Sequence, residues 1–451
     1  MTAQITPLRT HAENQLIDLF RTGGLALPGG AAIAERRRSA FDLFTASGLP
    51  SRRNEAWHYT DLRALMRDAL PFAMAPGATA AALAESGLDM SLLGDALPLV
   101  LIDGFFMARE SGLGQLPAGV RVSSLAASLD RPEITRHLEP IDIAAKDAAL
   151  ALNTMFMRDG IVIEIDAGTE VGRPLCIVSL RTRGEATAAA ARSLVLVGEG
   201  ASVLITEVQF GGAGPSQTND VVQFVLGEGA HVEHVVFQSL ALGALSLATL
   251  TADLAARASF DSLALTIGAQ LSRRQLFVRL GGAHGRVGLA GVTLLAGDQH
   301  ADTTLVVDHA TPHGESRERF RHILGGEATG IFQGKVVVRP GAQKTDGGMK
   351  SNALLLSDNA TMNNKPELEI FADDVICGHG ATCGSLDEDQ LFYLMARGLP
   401  QADAEALLLE AFAAETLEQV RHAGLREALL VQVQKWLLHR PRRAANDRKT
   451  A

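Results

Sequence analysis

The sequence predicts a mostly β protein in which a solenoid of short, stacked strands lies between two helical regions. Brief apolar runs punctuated by glycine fill the chain from about residue 160 to 384. The tetrapeptide Gly-Glu-Gly-Ala occurs at 198–201 and again at 227–230, each time after a Val-rich run. Repeats spaced by 20 to 50 residues are typical of stacked coils. Both ends of the chain instead show the helical spacing of apolar residues.

The N-terminal region, residues 1–155, is predicted to be rich in helix. Apolar residues recur at helical spacing within 16–20 and again within 33–44. Short extended runs such as 99–102 interrupt the helices, so we expect a mixed region. Trp57 and Tyr59 are expected to anchor this region to the rest of the protein, with contact to a partner as the alternative.

The alternating runs between 156 and 385 are predicted to form the solenoid core. Short strands with frequent Gly and Asn turns favour a β-helix, although periodicity alone also admits a β-sandwich. A solenoid leaves edge strands at its ends, which must be capped or paired. Cys176 lies within an apolar run and is predicted to be a buried strand residue without a chemical role.

The C-terminal region, residues 386–451, is predicted to be a helical domain with a basic tail at 440–449. Ser385 and Glu388 have the spacing of a capping box. The second helix is expected to bury Ala404, Leu407, Leu408, Ala411 and Phe412. A third helix is predicted from about residue 416 to 439, loosened at Gly424. We expect the helices to pack on one another and on the end of the solenoid.

The stretch from 341 to 400 is the richest in chemically capable groups. Cys377 and His379 stand two residues apart, which on a strand places both side chains on one face. A thiolate beside an imidazole suits zinc, copper or iron–sulfur chemistry, although buried cysteines and histidines without a ligand role are also common. Cys383 would lie on the same face of a strand that continued to it, because it is an even number of residues from Cys377. The glycines in this segment make it doubtful that a regular strand continues that far.

Two sulfurs and one nitrogen fall short of the four ligands of a closed structural zinc site. Asp373 or Asp374 would complete the set, but both are more simply explained as turn residues. An incomplete set indicates open coordination, or ligands from a partner. Four further histidines, at 300, 309, 313 and 322, are expected to be solvated turn residues unless the coils stack them.

The composition excludes several classes of function. The formal charge of −10 disfavours nucleic-acid binding, and no apolar run approaches the ~20 residues of a membrane helix. Three cysteines in 451 residues form no disulfide framework, which predicts a cytoplasmic protein with reduced thiols. The chain lacks a Gly-x-x-x-x-Gly-Lys-Ser/Thr loop, so we expect no nucleotide to bind it directly.

The run from 341 to 398 resembles the C-terminal signature of the SufB/SufD family of iron–sulfur cluster assembly scaffold proteins. The resemblance includes Leu-Asp-Glu-Asp-Gln-Leu-Phe-Tyr-Leu-Met-Ala-Arg-Gly at 386–398. Cys-Gly-His-Gly at 377–380 stands where B-type members have Glu-His-Glu, and Ser351 and Asn352 lie about where those members carry a cysteine. Ser-Arg-Arg-Asn-Glu-Ala-Trp-His-Tyr-Thr-Asp-Leu at 51–62 resembles the N-terminal signature of the D-type members.

The resemblance implies a right-handed parallel β-helix and a non-catalytic scaffold. It implies pairing with a SufB-like paralogue at the end of the solenoid, and docking of a SufC-like ABC ATPase on the C-terminal helices. His379, and with it Cys377, would supply ligands to transient iron or a nascent iron–sulfur cluster at the paralogue interface. An isolated chain is expected to form a homodimer through the same edge.

Two other functions remain open from the residues alone. A β-helix polysaccharide lyase or hydrolase would use Asp373, Asp374 and Glu369 as acid, base or calcium ligands, and such enzymes are typically secreted. A homo-oligomeric structural solenoid would need no chemistry at all. A screen on acidic polysaccharides tests the first alternative. A co-purifying ATPase would argue against the second.

Overall fold

The structure is a computed structural model that describes residues 9–77, 83–182, 184–212 and 214–440. Two long sheets, one of ten strands and one of nine, dominate these residues. From β4 onwards consecutive strands alternate between the two sheets, so each coil gives one strand to each sheet and pairs in parallel with the next coil. This is a parallel β-solenoid of about 8 turns with helices at both ends of the chain, which confirms the predicted fold class.

The strands are β1 (Leu97–Ile102), β2 (Phe105–Phe106), β3 (Val120–Ser124), β4 (Ile161–Ile165), β5 (Leu175–Arg181), β6 (Thr187–Val197), β7 (Ser202–Gly211), β8 (Ser216–Leu226), β9 (His231–Leu240), β10 (Ala244–Leu254), β11 (Ser259–Gly268), β12 (Leu271–Leu280), β13 (Arg286–Leu295), β14 (His300–His309), β15 (Glu315–Leu324), β16 (Thr329–Val338), β17 (Asp346–Leu355), β18 (Thr361–Ile370) and β19 (Ile376–Gly384). The α-helices are α1 (His11–Arg21), α2 (Ala31–Ser47), α3 (Leu62–Leu65), α4 (Leu125–Ser128), α5 (Pro132–Thr135), α6 (Ala148–Phe156), α7 (Glu388–Ala396), α8 (Gln401–Leu417) and α9 (Ala423–His439). Short 3₁₀ helices lie at Glu55–Trp57, Leu83–Glu85, Met90–Leu92, Leu113–Gln115, Arg136–Leu138 and Asp142–Ala144.

The repeated Gly-Glu-Gly-Ala segments form equivalent turns one coil apart. Each precedes a strand of the ten-stranded sheet, and Ser202 of β7 pairs in register with His231 of β9. Gly200 and Gly229 have φ angles of 63° and 65°, a left-handed conformation in which a side chain would be strained. The recurrence in the sequence therefore marks the turn that closes successive coils, and the predicted repeat is confirmed.

The core lies between the inner faces of the two sheets. Alternate residues of each strand point inward, so apolar residues stack in columns along the solenoid axis, as Phe260 and Val287 do in adjacent coils. The outer face of the nine-stranded sheet is covered by N-terminal helices, whose buried residues pack on Leu245 and Leu271. Both sheets are thus buried on two faces along most of their length, as parallel sheets require.

The two ends of the solenoid differ. At the N-terminal end the sheets finish in antiparallel pairs, where the short strand β2 pairs with β1 and β3 pairs with β4. At the other end the sheets finish with β18 and β19, and neither strand contains a fully buried residue. The inner face of the last coil is therefore open.

The C-terminal helices depart from the sequence prediction in two details. Helix α7 is capped by Asp387, whose carboxylate accepts hydrogen bonds from the backbone N–H groups of Asp389 and Gln390 at 2.9 and 3.1 Å. The predicted capping box at Ser385 is wrong, because Ser385 follows β19 directly and lies two residues before the helical cap. The predicted third helix is interrupted: α8 ends at Leu417 and α9 begins only at Ala423.

Of the five residues predicted to be buried in α8, only Ala404 is fully buried. Its buried residues are Ala404, Leu409, Ala413, Thr416 and Leu417, whereas Leu407 is 48% exposed. Helices α8 and α9 pack on the outer face of the ten-stranded sheet rather than on the end of the solenoid. Outward-facing residues of that sheet, such as Phe237 and Val292, are apolar and need this cover.

Most of the predicted basic tail lies outside the described residues, which end at 440. None of the helices in the described part of the chain combines the length and apolarity that a membrane crossing requires.

A buried polar network attaches the N-terminal region to the solenoid. Trp57 is 3% exposed, and the guanidinium of Arg273 lies 3.6 Å from the centroid of its ring. Arg273 forms a fully buried salt bridge with Asp302, and it donates a hydrogen bond to the Ala56 carbonyl at 2.7 Å. Thr60 also donates to the Asp302 carboxylate. The predicted anchoring role of Trp57 is confirmed.

We expect Asp302→Ala to lower the free energy of unfolding by about 3 to 5 kcal/mol, because it leaves the Arg273 guanidinium buried without its salt-bridge partner. Asp166→Ala is the matched control, because Asp166 pairs with Arg121 on the surface and should contribute less than about 1 kcal/mol. The shift of the urea midpoint measures both. Equal shifts for the two variants would contradict a special role for the buried pair.

Candidate metal-binding edge

Strand β19 is the terminal strand of the ten-stranded sheet, and it carries the three predicted ligands. Among the described residues it pairs in this sheet with β17 alone, where Cys377 lies beside Gly347 and His379 beside Met349. Cys377 and His379 share one face, as predicted. The strand continues through its glycines to Gly384, so Cys383 lies on that face as well. The doubt about Cys383 was wrong, because the β17 ladder holds the glycine-rich backbone extended.

The three side chains differ in environment. His379 and Cys383 are exposed, while Cys377 is half-buried and packs against the interior of the solenoid. Burial raises the pKa of the Cys377 thiol, and the nearby carboxylates of Asp346 and Glu318 raise it further. A thiol in these surroundings stays protonated until a bound cation stabilises the thiolate.

The two aspartates before β19 do not complete a ligand set. Both are exposed in the turn that leads into the strand, and Asp374 forms a salt bridge with Lys344. Their interpretation as turn residues is confirmed. Within the described ranges no three His, Cys, Asp or Glu side chains converge in a group that could hold a metal ion. The side chains that one chain supplies at this edge therefore leave the coordination of a metal ion incomplete.

The carboxylates of the lyase alternative do not form a catalytic group either. Glu369 lies on the outer face of β18 and forms a salt bridge of 2.8 Å with Lys335, whereas Asp374 pairs with Lys344 in the turn. Glu369 and Asp374 are thus each engaged with a lysine, and Asp373 is exposed in the same turn as Asp374. Nothing in this arrangement resembles the pair of facing carboxylates that glycoside hydrolysis uses.

Three of the four scattered histidines contradict the prediction of solvated turn residues. His309 and His322 are 0% and 1% exposed, and neither ring has a hydrogen-bond partner among the described residues. Burial lowers the pKa of each imidazole to about 4, so both are neutral. His300 binds Thr60 at 2.9 Å, and His313 alone of the four is an exposed turn residue. Side chains alternate between the two faces of a strand, and His309 of β14 and His322 of β15 occupy positions that face the interior.

Sequence reasoning missed two interior residues of β15. Ser316 and Glu318 are both 0% exposed, and they lie two residues apart on the same inward face of the strand. Burial raises the pKa of the Glu318 carboxyl to about 7. The available signal was the alternation from 315 to 321: Arg317 and Arg319 face outward, so the residues between them face inward.

The fold and the edge together define a β-solenoid protein that presents a thiol and an imidazole on an open terminal coil. Comparison with known proteins agrees with this class. A family model described as "SUF system FeS cluster assembly, SufBD core domain" matches residues 180–412, and one described as "SufBD protein N-terminal region" matches residues 10–177. The chain belongs to the SufB/SufD family.

Individual relatives extend over nearly the whole chain. The iron–sulfur cluster assembly SufBD family protein slr0076 of Synechocystis sp. is 32% identical, over 88% of this chain and 89% of the relative. The iron–sulfur cluster assembly protein SufD of Escherichia coli is 28% identical, over 86% of this chain and 89% of that protein. The chloroplastic protein ABCI7 of Arabidopsis thaliana is 28% identical, over 92% of this chain and 88% of that protein. The resemblance to the D-type members is thereby confirmed.

We expect Glu318→Gln to stabilise the metal-free protein at pH 8 and to have little effect near pH 4. Since the pKa rises from 4.5 unfolded to about 7 folded, wild-type stability falls as the pH increases between these values. The glutamine variant avoids that loss, which amounts to roughly 3 kcal/mol above pH 7. Urea titrations at several pH values with a chelator present measure the difference.

The matched control is Glu315→Gln, the same substitution at an exposed position of the same strand, where Glu315 pairs with Arg286. Its effect should be small at every pH. A Glu318→Gln advantage that does not grow with pH would contradict the presence of a buried ionisable carboxyl.

Proposed function

We propose that this chain is the D-type scaffold subunit of the Suf iron–sulfur cluster assembly complex, without catalytic activity of its own. Membership of the family supports an assembly function, and the similarity to E. coli SufD supports the D-type assignment. Ser351 stands about where the B-type cysteine is expected, and its hydroxyl donates to Asn364 at 2.6 Å. The observation that carries the proposal is the exposed terminal strand β19 with its imidazole and thiol.

The open end of the solenoid pairs with a SufB-like paralogue under this proposal. Strands β18 and β19 present backbone edges that a partner strand can extend. Three large apolar side chains near that edge, Ile370, Phe371 and Ile376, are 40%, 61% and 75% exposed. Such a patch on an edge favours association. An isolated chain pairs with a second copy in the same way, and light scattering that finds a strict monomer at high concentration would contradict this.

His379 and Cys377 supply ligands to transient iron or a nascent iron–sulfur cluster at this interface. Their shared face lies on the last coil, where a second subunit can complete the coordination. A neutral imidazole nitrogen suits iron, and mixed ligation releases a cluster more readily than four thiolates, as a transfer site requires. Cys383 lies on the same face but four residues beyond His379, so its contribution is the weakest of the three.

The C-terminal helical domain docks a SufC-like ATPase. On helix α7 the side chains of Phe392 and Tyr393 are 73% and 57% exposed. Helices α8 and α9 instead pack on the ten-stranded sheet. Aromatic side chains of this kind are common in protein interfaces. ATP hydrolysis then belongs to the partner, since the chain has no phosphate-binding loop. We place the complex in the cytoplasm, where thiols remain reduced.

We expect His379→Ala to abolish cluster maturation in cells that depend on this pathway, while both partner subunits still co-purify. The imidazole is exposed, so its removal deletes a ligand and leaves the fold intact. Activity of a cluster-dependent enzyme and the iron content of the purified complex measure the effect. His313→Ala, at an exposed turn, is the control. Normal maturation in the His379 variant would remove the site assignment.

We expect Phe392→Glu to abolish co-purification of the ATPase subunit and to leave pairing with the paralogue unchanged. A charge in the centre of an aromatic contact costs more than the contact contributes. Leu242→Glu, at a side chain 65% exposed in a turn of the solenoid, is the matched control. Retention of the ATPase by the Phe392 variant would show that another surface binds it.

A further inference from the structure

The outer face of the last coils carries two adjacent cations that have no counter-charge within the described chain. Arg319 of β15 and Lys350 of β17 lie directly opposite each other in the ten-stranded sheet, and both side chains are exposed. Among the described residues neither side chain forms an ion pair or a hydrogen bond. Like charges in opposing positions destabilise a sheet. We call these two residues the cation pair.

The cation pair is exceptional in this part of the chain. Every other arginine or lysine described on the outward faces and turns from β10 to β19 forms a salt bridge with a carboxylate. The nearest of them on β15, Arg317 and Arg321, pair with Asp346 and Glu415. The whole chain has 51 acidic and 41 basic residues, so a shortage of carboxylates does not explain the exception. The arrangement indicates a counter-charge that comes from another molecule.

Lys350 adjoins open space on the side of the terminal edge. Gly380 of β19 lies opposite Lys350, and Gly378 is the outward position before it. A Cβ at either glycine would contact no other residue within 4 Å. Neighbouring strands are about 4.8 Å apart, so a strand added to β19 would lie about 10 Å from β17, within the combined reach of a lysine and a glutamate side chain. Arg319 lies on the opposite side of Lys350, and its charge repels the ammonium group toward the edge.

We propose that Lys350, supported by Arg319, binds carboxylate side chains on the outer face of the strand that a partner subunit adds to β19. This selection rests on the proposed function, in which a paralogous subunit covers this edge. The backbone of β19 offers the same hydrogen bonds to any added strand. The carboxylates add an attraction on the outer face, and charge complementarity of this kind gives an interface its specificity.

A second copy of this chain does not supply that contact. In a two-fold pair the Lys350 side chains of both copies would lie on the same face of the joined sheets and repel each other across the glycines. The cation pair therefore favours a subunit with carboxylates on its edge strand over self-association. The outward positions of β19 carry no acidic side chain; they are Ile376, Gly378, Gly380, Thr382 and Gly384.

The experiment measures two affinities of the full-length chain: that for its SufB-like paralogue from the same host, and that for a second copy by light scattering. Lys350→Glu should weaken binding of the paralogue about tenfold or more, because the attraction becomes a like-charge contact. Self-association should not decrease, because a second copy has no carboxylate contact to lose. Added salt should weaken the wild-type complex more than the complex of the variant.

Arg257→Glu is the control for net charge, because Arg257 lies in a distant turn and pairs with Glu228. Gly380→Glu should also weaken binding of the paralogue, since the new carboxylate pairs with Lys350 within the chain and repels the carboxylates of the partner. Gly380→Ala adds a Cβ in the same open space without a charge and should bind normally.

If Lys350→Glu binds the paralogue as wild type does, the carboxylate contact is wrong and the proposed function stands. An equal loss of both affinities in that variant would also refute the contact, because a damaged edge weakens both. Equal effects of Gly380→Ala and Gly380→Glu would refute it too, since space rather than charge would then decide binding. If the wild-type chain does not bind the paralogue at all, the proposed function fails together with the contact.

Discussion

The backbone ladder along the solenoid axis is the constraint on which the rest of the structure depends. Each coil satisfies its N–H and C=O groups on the coil before it and the coil after it, in register from β4 to β19. Among the described residues the last coil has no successor, so one side of its backbone remains for a partner. The same constraint decides which side chains face the interior, because in-register stacking places the inward-facing residues of one coil directly over those of the next. Cys377 and His379 are placed by this stacking and by their position at the end of the ladder.

The same stacking also explains why the interior near the end is chemically unusual. Most inward columns contain apolar residues, but the column through Ser316, Gly347 and Cys377 contains a hydroxyl, a gap and a thiol. The adjacent column carries Glu318 and then His379 two coils later. Stacking brings residues 61 positions apart in the chain, such as 316 and 377, into one line, which local sequence patterns do not reveal. The polar column reaches the surface only where the solenoid stops.

The sequence allowed prediction of those features that depend on local periodicity. The coil repeat, the shared face of Cys377 and His379 and the burial of Trp57 all follow from alternation, glycine placement or side-chain size. Features that depend on neighbours were predicted wrongly. The strand reaches Cys383 because β17 supports it, and α8 buries Leu409 rather than Leu407 because the helix lies on the side of the sheet. His322 is buried because coils on both sides enclose it.

The difference between the two ends limits what the solenoid can assemble. If both ends offered long parallel edges, head-to-tail stacking would continue into a filament. Here the N-terminal end finishes in β2, of two residues, and in the antiparallel strand β3, and short edge strands of this kind oppose further pairing. Only the end that carries β18 and β19 presents long strands with apolar neighbours among the described residues. Under the proposed function, pairing through that end uses up the edge in both subunits, so the assembly closes as a dimer. The proposed metal site at that end would then be enclosed at the moment of pairing, with ligands from both subunits.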